Sequence, residues 1–253
     1  MTTLKITIAD IDADGYYNGP VDVTDYDGNI EIDAGTGWYR FKTSVKAAGH
    51  IESDGSVYSA GDIVSGDFIQ SSDNIVSDGY IDSAGYIKSG GYVYSGGYIK
   101  SGGYVYSGGD IASGDYIVSG GYIHSGRYIA SSGIVHSGGY IKSGGGVYSV
   151  GYIKSGGFID SGGYIHSGDF IDSGDYIDSG GYIKSGGIVK SAGYIDSGGD
   201  IDSGGDIKAI GSIKSGDYIK SGGVVYSSQG ETEAEVGLSP AAPVHRKACR
   251  RTE

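Results

Sequence analysis

Three aspartates stand on alternate residues near the start of the chain, in Asp10-Ile11-Asp12-Ala13-Asp14-Gly15. Carboxylates so spaced converge on a hard cation when the loop curls round it, and glycine permits the curl, so Asp10, Asp12 and Asp14 are candidate calcium ligands. The twelfth place of such a loop requires a bidentate glutamate and holds Val21, with Asp22 beside it. Ordinary Asp/Gly turn chemistry accounts for the same residues, and no other cofactor is indicated.

The remaining reactive side chains are spread rather than clustered. His124, His136 and His166 occupy equivalent places in a repeat, as do 29 serines, and a catalytic serine needs a unique neighbourhood with a base and an oxyanion site. The sequence therefore points away from an enzyme. Lysines and aspartates such as Lys142, Lys154, Asp160, Asp172 and Lys184 read as solubilising charges with weak pairing along the repeat. Aromatic residues carry the functional signal, because 15 tyrosines recur at one outward place of that repeat. Phe68, Tyr86, Tyr104, Tyr122, Tyr140, Phe158, Tyr176 and Tyr194 follow one another at 18-residue intervals. Stacked, they would form a flat, partly apolar interaction face.

A periodic element must position them. From Ile51 to Gly230 the chain divides into 30 consecutive hexads without insertion or deletion. Position 1 is isoleucine in 23 hexads and valine in seven, and position 3 is serine in all but the hexad of Ala209. Position 5 is glycine in 22, position 6 is mostly tyrosine or phenylalanine, and position 2 varies. A period of six matches no α-helix, whereas Tyr-Ile-Lys-Ser reads as a short strand with isoleucine and serine facing inward. The glycines at positions 4 and 5 are expected to turn the corner through positive φ. One such strand cannot bury its isoleucine alone, so the fold class is all-β: a β-solenoid whose coils stack at about 4.8 Å with like residues in ladders. Buried serines then need neighbouring serines or corner carbonyls as partners.

Two coil sizes fit the ladders. Three hexads per coil align His50, Phe68, Tyr86 and onward to Tyr194, while two align Phe68, Tyr80, Tyr92 and onward to Tyr176. A triangular core filled by three isoleucines favours three, which gives about ten coils over residues 45–230. Residues 1–44 read as a β cap, with strands in LKITIAD, GNIEIDAG and GWYRFKTSV, and with Trp38, Tyr39 and Phe41 covering the first coil. Residues 231–253 carry no repeat, hold two of the three prolines and read as a disordered tail.

The formal net charge of −13 argues against a sequence-independent grip on nucleic acid. The one basic cluster, His245 to Arg251, reads as a solvated tail, and the single cysteine, Cys249, can form no intrachain disulfide. No apolar run is long enough to span a membrane, and the start lacks the pattern of a secretory signal, so a cytoplasmic location is expected, with a virion or non-classical export as alternatives.

The phrases GDIVS (Gly61–Ser65), GYIKS (Gly97–Ser101) and GDIAS (Gly109–Ser113) resemble the repeats of bactofilins, polymer-forming bacterial cytoskeletal proteins. That resemblance implies a right-handed, three-sided β-helix that assembles end to end into filaments without nucleotide. Hexapeptide acyltransferases are a poorer match, because position 5 here accepts Asp67, Asp115 and Arg127. Two functions are expected: a non-enzymatic structural protein that self-associates through its ends or its tyrosine ladders as a homo-oligomer or homopolymer, and, alternatively, a binding or adhesion module that uses a flat repeat face, such as a phage or surface shaft or an ice-binding solenoid.

Overall fold

A computed structural model describes residues 1–229 and 232–234. Every repeat strand except Ser56–Ser59 is the three-residue segment from position 1 to position 3, for example Ile99–Ser101. It pairs in parallel with Ile81–Ser83 below and Ile117–Ser119 above, so isoleucine lies on isoleucine and serine on serine. The offset is 18 residues, which selects three hexads per coil. Three parallel sheets result: sheet 1 with 13 strands, among them Ile123–Ser125, and two of 11 strands each, sheet 2 containing Val93–Ser95 and sheet 3 containing Ile81–Ser83. Eleven turns at the usual strand spacing make a rod roughly 50 Å long.

The core is a column. Isoleucine or valine at position 1 is at most 3 % exposed in every turn from Ile51 to Val225. The serines are nearly as buried, and of the two partner types open to them they use corner carbonyls. Ser107 Oγ lies 2.6 Å from the Gly91 carbonyl oxygen one turn below and 3.0 Å from that of Asp110, so one proton serves two acceptors. The same oxygen accepts the Gly109 N–H at 3.2 Å. A hydroxyl at this phase therefore ties the corner to itself and to the adjacent turn, which explains why position 3 scarcely varies.

Glycine plays a different part from the expected one. Among the described residues positive φ occurs only at Gly15 (83°) and Gly35 (91°), both ahead of the repeat. The repeat corners are made with ordinary backbone angles, and position 4 favours glycine because successive turns approach closely. A Cβ placed on Gly102 would lie 2.0 Å from the Ala84 carbonyl oxygen.

The strands foreseen in the first 44 residues are present as β1 (Thr2–Thr7), β2 (Gly28–Asp33) and β3 (Trp38–Phe41), followed by β4 (Val45–Ala47). Strands β2, β3 and β4 form a first turn in register with the repeat, which raises the count from about ten coils to eleven turns. β1 lies on β2, and residues between them cover the edges of the other two sheets. Arg40 N–H donates to the Gly15 oxygen and Tyr17 N–H to the Arg40 oxygen, each at 2.8 Å. Lys46 N–H donates to the Val23 oxygen at 2.8 Å. Tyr39 and Phe41 are buried as expected, but Trp38 faces outward and is 38 % exposed. Within the expected tail, Thr232–Ala234 adds a strand to sheet 1. The rest of that tail, with Cys249 and the basic cluster, lies outside the described residues. No helix among them is long and apolar enough to cross a membrane.

Candidate interaction surface

Position 6 falls on the corners, immediately before each strand. On the corner between sheets 3 and 1 the residue types never interrupt the aromatic row. His50, Phe68, Tyr86, Tyr104, Tyr122, Tyr140, Phe158, Tyr176 and Tyr194 stack with centroids 4.7–4.9 Å apart and planes within 7° of parallel. That spacing is the strand spacing, so the backbone sets the stack and offers each ring a face above and below. The same phase on the other corners is interrupted by Asp62, Ile134 and Ile188 or by Asp110, Gly146 and Asp200. There, stacks last only two or three rings, as in Tyr80–Tyr98–Tyr116.

Packing ring on ring removes water from the phenols. Burial, the largest cause in each case, holds the Tyr86, Tyr104, Tyr122, Tyr176 and Tyr194 hydroxyls above the usual tyrosine value. Tyr98 is pushed up to about 12, first by burial and then by the charge of Asp82. All are neutral near pH 7, so Tyr86, Tyr104, Tyr122, Tyr176 and Tyr194 present uncharged hydroxyls along the long corner. Hydroxyl groups so protonated donate and accept hydrogen bonds but are not nucleophiles.

Position 2 lines the flat faces and sets their charge. On sheet 1 this row runs Glu52, Gln70, Lys88, Tyr106, His124, Lys142, Asp160, Asp178, Asp196 and Lys214. Lys142 Nζ meets Asp160 at 2.7 Å, and Lys214 reaches Glu233 at 3.5 Å. Lys88 and Asp178 have no ion-pair partner among the described residues. Burial, then the charges of Asp196 and Asp160, raises the Asp178 carboxyl. Sheet 3 pairs Lys100 with Asp82 and Lys154 with Asp172 at 3.6 and 3.9 Å, one turn apart in each case. Sheet 2 carries no charge at position 2 from Tyr58 to Tyr148.

His124, His136 and His166 fall on sheets 1, 3 and 2, so they cannot share an ion. Each faces a lysine one turn above, and burial followed by that lysine lowers its proton affinity. The three aspartates of the possible calcium loop are engaged differently from one another. Asp10 Oδ2 accepts the Thr7 N–H and hydroxyl, and Asp12 Oδ1 accepts the N–H groups of Asp14 and Tyr16. No group of three or more His, Cys, Asp or Glu placed to hold a metal ion occurs among the described residues.

Reading the sequence alone missed two features of this surface. One is Trp38, which with Tyr16, Arg40, Tyr58, Val76 and Tyr92 lines a shallow groove at the first turns of sheet 2. The other is the order of charges on each face, which becomes visible only when every eighteenth residue is read together. No family model, curated protein or solved structure matches the chain.

Proposed function

We propose that this protein is a non-enzymatic structural rod that self-associates side by side through its aromatic corner and the flat face next to it. The observation that carries the reading is the unbroken ladder from Phe68 to Tyr194. Eight rings in one straight row give a surface repeating at the strand spacing, and another such row can match it ring for ring. The partner of that description is a second copy. Lateral contact is favoured over end-to-end growth because residues 1–27 already bond to the lower edges of all three sheets. A rigid shaft also suits an adhesion module, but the mixed Lys, Asp and His of position 2 lack the uniformity that a regular crystalline ligand would require.

Negative-stain microscopy of the purified protein tests this directly. Paired or bundled rods, with a unit roughly 50 Å long, are expected. Isolated single rods at every concentration would refute it.

A further inference from the structure

Over the ten turns from Glu52 to Lys214 the order of charges on sheet 1 is close to a palindrome of opposite signs. Counted from the middle of the face, between the turns of His124 and Lys142, Glu52 and Lys214 are equidistant, and so are Lys88 and Asp178. Gln70 mirrors Asp196, and Tyr106 mirrors Asp160, each a donor opposite a carboxylate. The bordering ladder shares the centre: Phe68 mirrors Tyr194, and Tyr122 mirrors Tyr140.

We infer that two copies pack antiparallel through the outer face of sheet 1, related by a dyad perpendicular to the rod axis at the level between the turns of Tyr122 and Tyr140. This deepens the side-by-side reading above and rests on it. Such a dyad lies in the interface and reverses the rod without exchanging its two edges, so the aromatic corner of one copy meets the aromatic corner of the other. Lys88 and Asp178, which lack ion-pair partners within one chain, each gain one, twice per dimer.

The register is specific. Sliding one copy by one turn in either direction sets Glu52 against Asp196 or Lys142 against its own copy. A parallel pair places every charge against itself. Over the ten turns from Glu52 to Lys214 the central antiparallel register sets no charge against its like, and like charges across an interface are strongly disfavoured. The flanking Glu31 and Glu233, which it places opposite each other, are each already paired with a lysine, Lys5 and Lys214. The face is about 15 Å wide and about 43 Å long from Glu52 to Lys214, so two such faces bury roughly 1,300 Å² in total, at the lower end of the range of stable interfaces. Sheet 3 offers no equal match, since Lys46, Lys100, Lys154, Lys190 and Lys208 outnumber Asp82 and Asp172.

Sedimentation equilibrium of the full chain at low salt is the test, comparing wild type with Lys88→Asp, Asp178→Lys and the double exchange. Both residues face outward, so circular dichroism of all four proteins should coincide. Each single change is expected to weaken the dimer at least about tenfold, and the double exchange to restore it to within about threefold of wild type. A dimer unaffected by either single change, or one the double exchange fails to rescue, overturns the antiparallel pairing while leaving side-by-side association standing. A wild type that remains monomeric at all concentrations overturns both.

Discussion

Tyr122 and Tyr140 lie one turn apart with ring centroids 4.8 Å from each other and planes parallel to 0°. The contact is a consequence of phase: both residues precede a strand, both strands belong to sheet 1, and in-register pairing carries one ring directly over the other. Each ring inside the ladder has two such neighbours.

Removing one interior ring should therefore cost two stacks. Tyr122→Ala is expected to destabilise the surrounding turns by about 1–3 kcal/mol. Tyr128→Ala, whose neighbours at the same phase are Asp110 and Gly146, should cost less than about 1 kcal/mol. Native-state hydrogen exchange of amides in the adjacent turns measures both; equal effects would show that stacking contributes nothing.

The serine ladder makes a paired prediction. Ser107→Ala leaves the Gly91 and Asp110 oxygens without their hydroxyl donor and should destabilise by about 1 kcal/mol. Ala209 is the natural exception, so Ala209→Ser should add a comparable amount. Denaturant titration of the two variants beside wild type checks the signs, and a neutral Ser107→Ala would remove hydrogen bonding as the reason for the conserved phase within the repeat.

Much of this was legible in the residues themselves. Isoleucine at every sixth place and serine two later specify a strand with two inward side chains, and the tyrosines sit at the corners just before each strand. Positive φ and close approach both call for glycine at a corner, and only the 2.0 Å that would separate a Cβ on Gly102 from the Ala84 oxygen distinguishes them. The first turn was hidden because GNIEID and WYRF fill the same places with other residues. Trp38 is expected to cover the first coil together with Tyr39 and Phe41, yet only those two occupy the inward phase of β3. Charge order needed the 18-residue offset before Lys88 and Asp178 could be related.

Titration of the phenols follows from burial. A group whose folded pKa is raised contributes stability below its unfolded value, here 10.0, and loses that contribution as pH climbs through the folded value, about 12 for Tyr98. Unfolding midpoints should thus hold steady up to pH about 10 and fall above it. Ultraviolet titration of Tyr98→Phe against wild type should show one late-ionising phenol missing; an unchanged curve would contradict the placement of that ring.

The histidines act in the opposite pH range. His124, His136 and His166 have lowered proton affinity from an ordinary value of 6.5, so folding disfavours their charged form. Stability is full above that pH and declines as pH falls through 6.5 towards the folded values. Replacing all three with glutamine should flatten the decline between pH about 7 and about 5.5, as read by chemical denaturation. A decline of the same size in the triple variant would assign it to carboxylates instead.

The most direct measurement of the assembly is cross-linking between two single-cysteine proteins in a Cys249→Ser background. Glu52→Cys and Lys214→Cys place thiols near opposite ends of sheet 1. Under mild oxidation the mixture is predicted to yield a disulfide-linked heterodimer, whereas each protein alone yields none beyond collisional background. Cross-linking of Glu52→Cys to itself, or no product from the mixture, would contradict antiparallel association through this face.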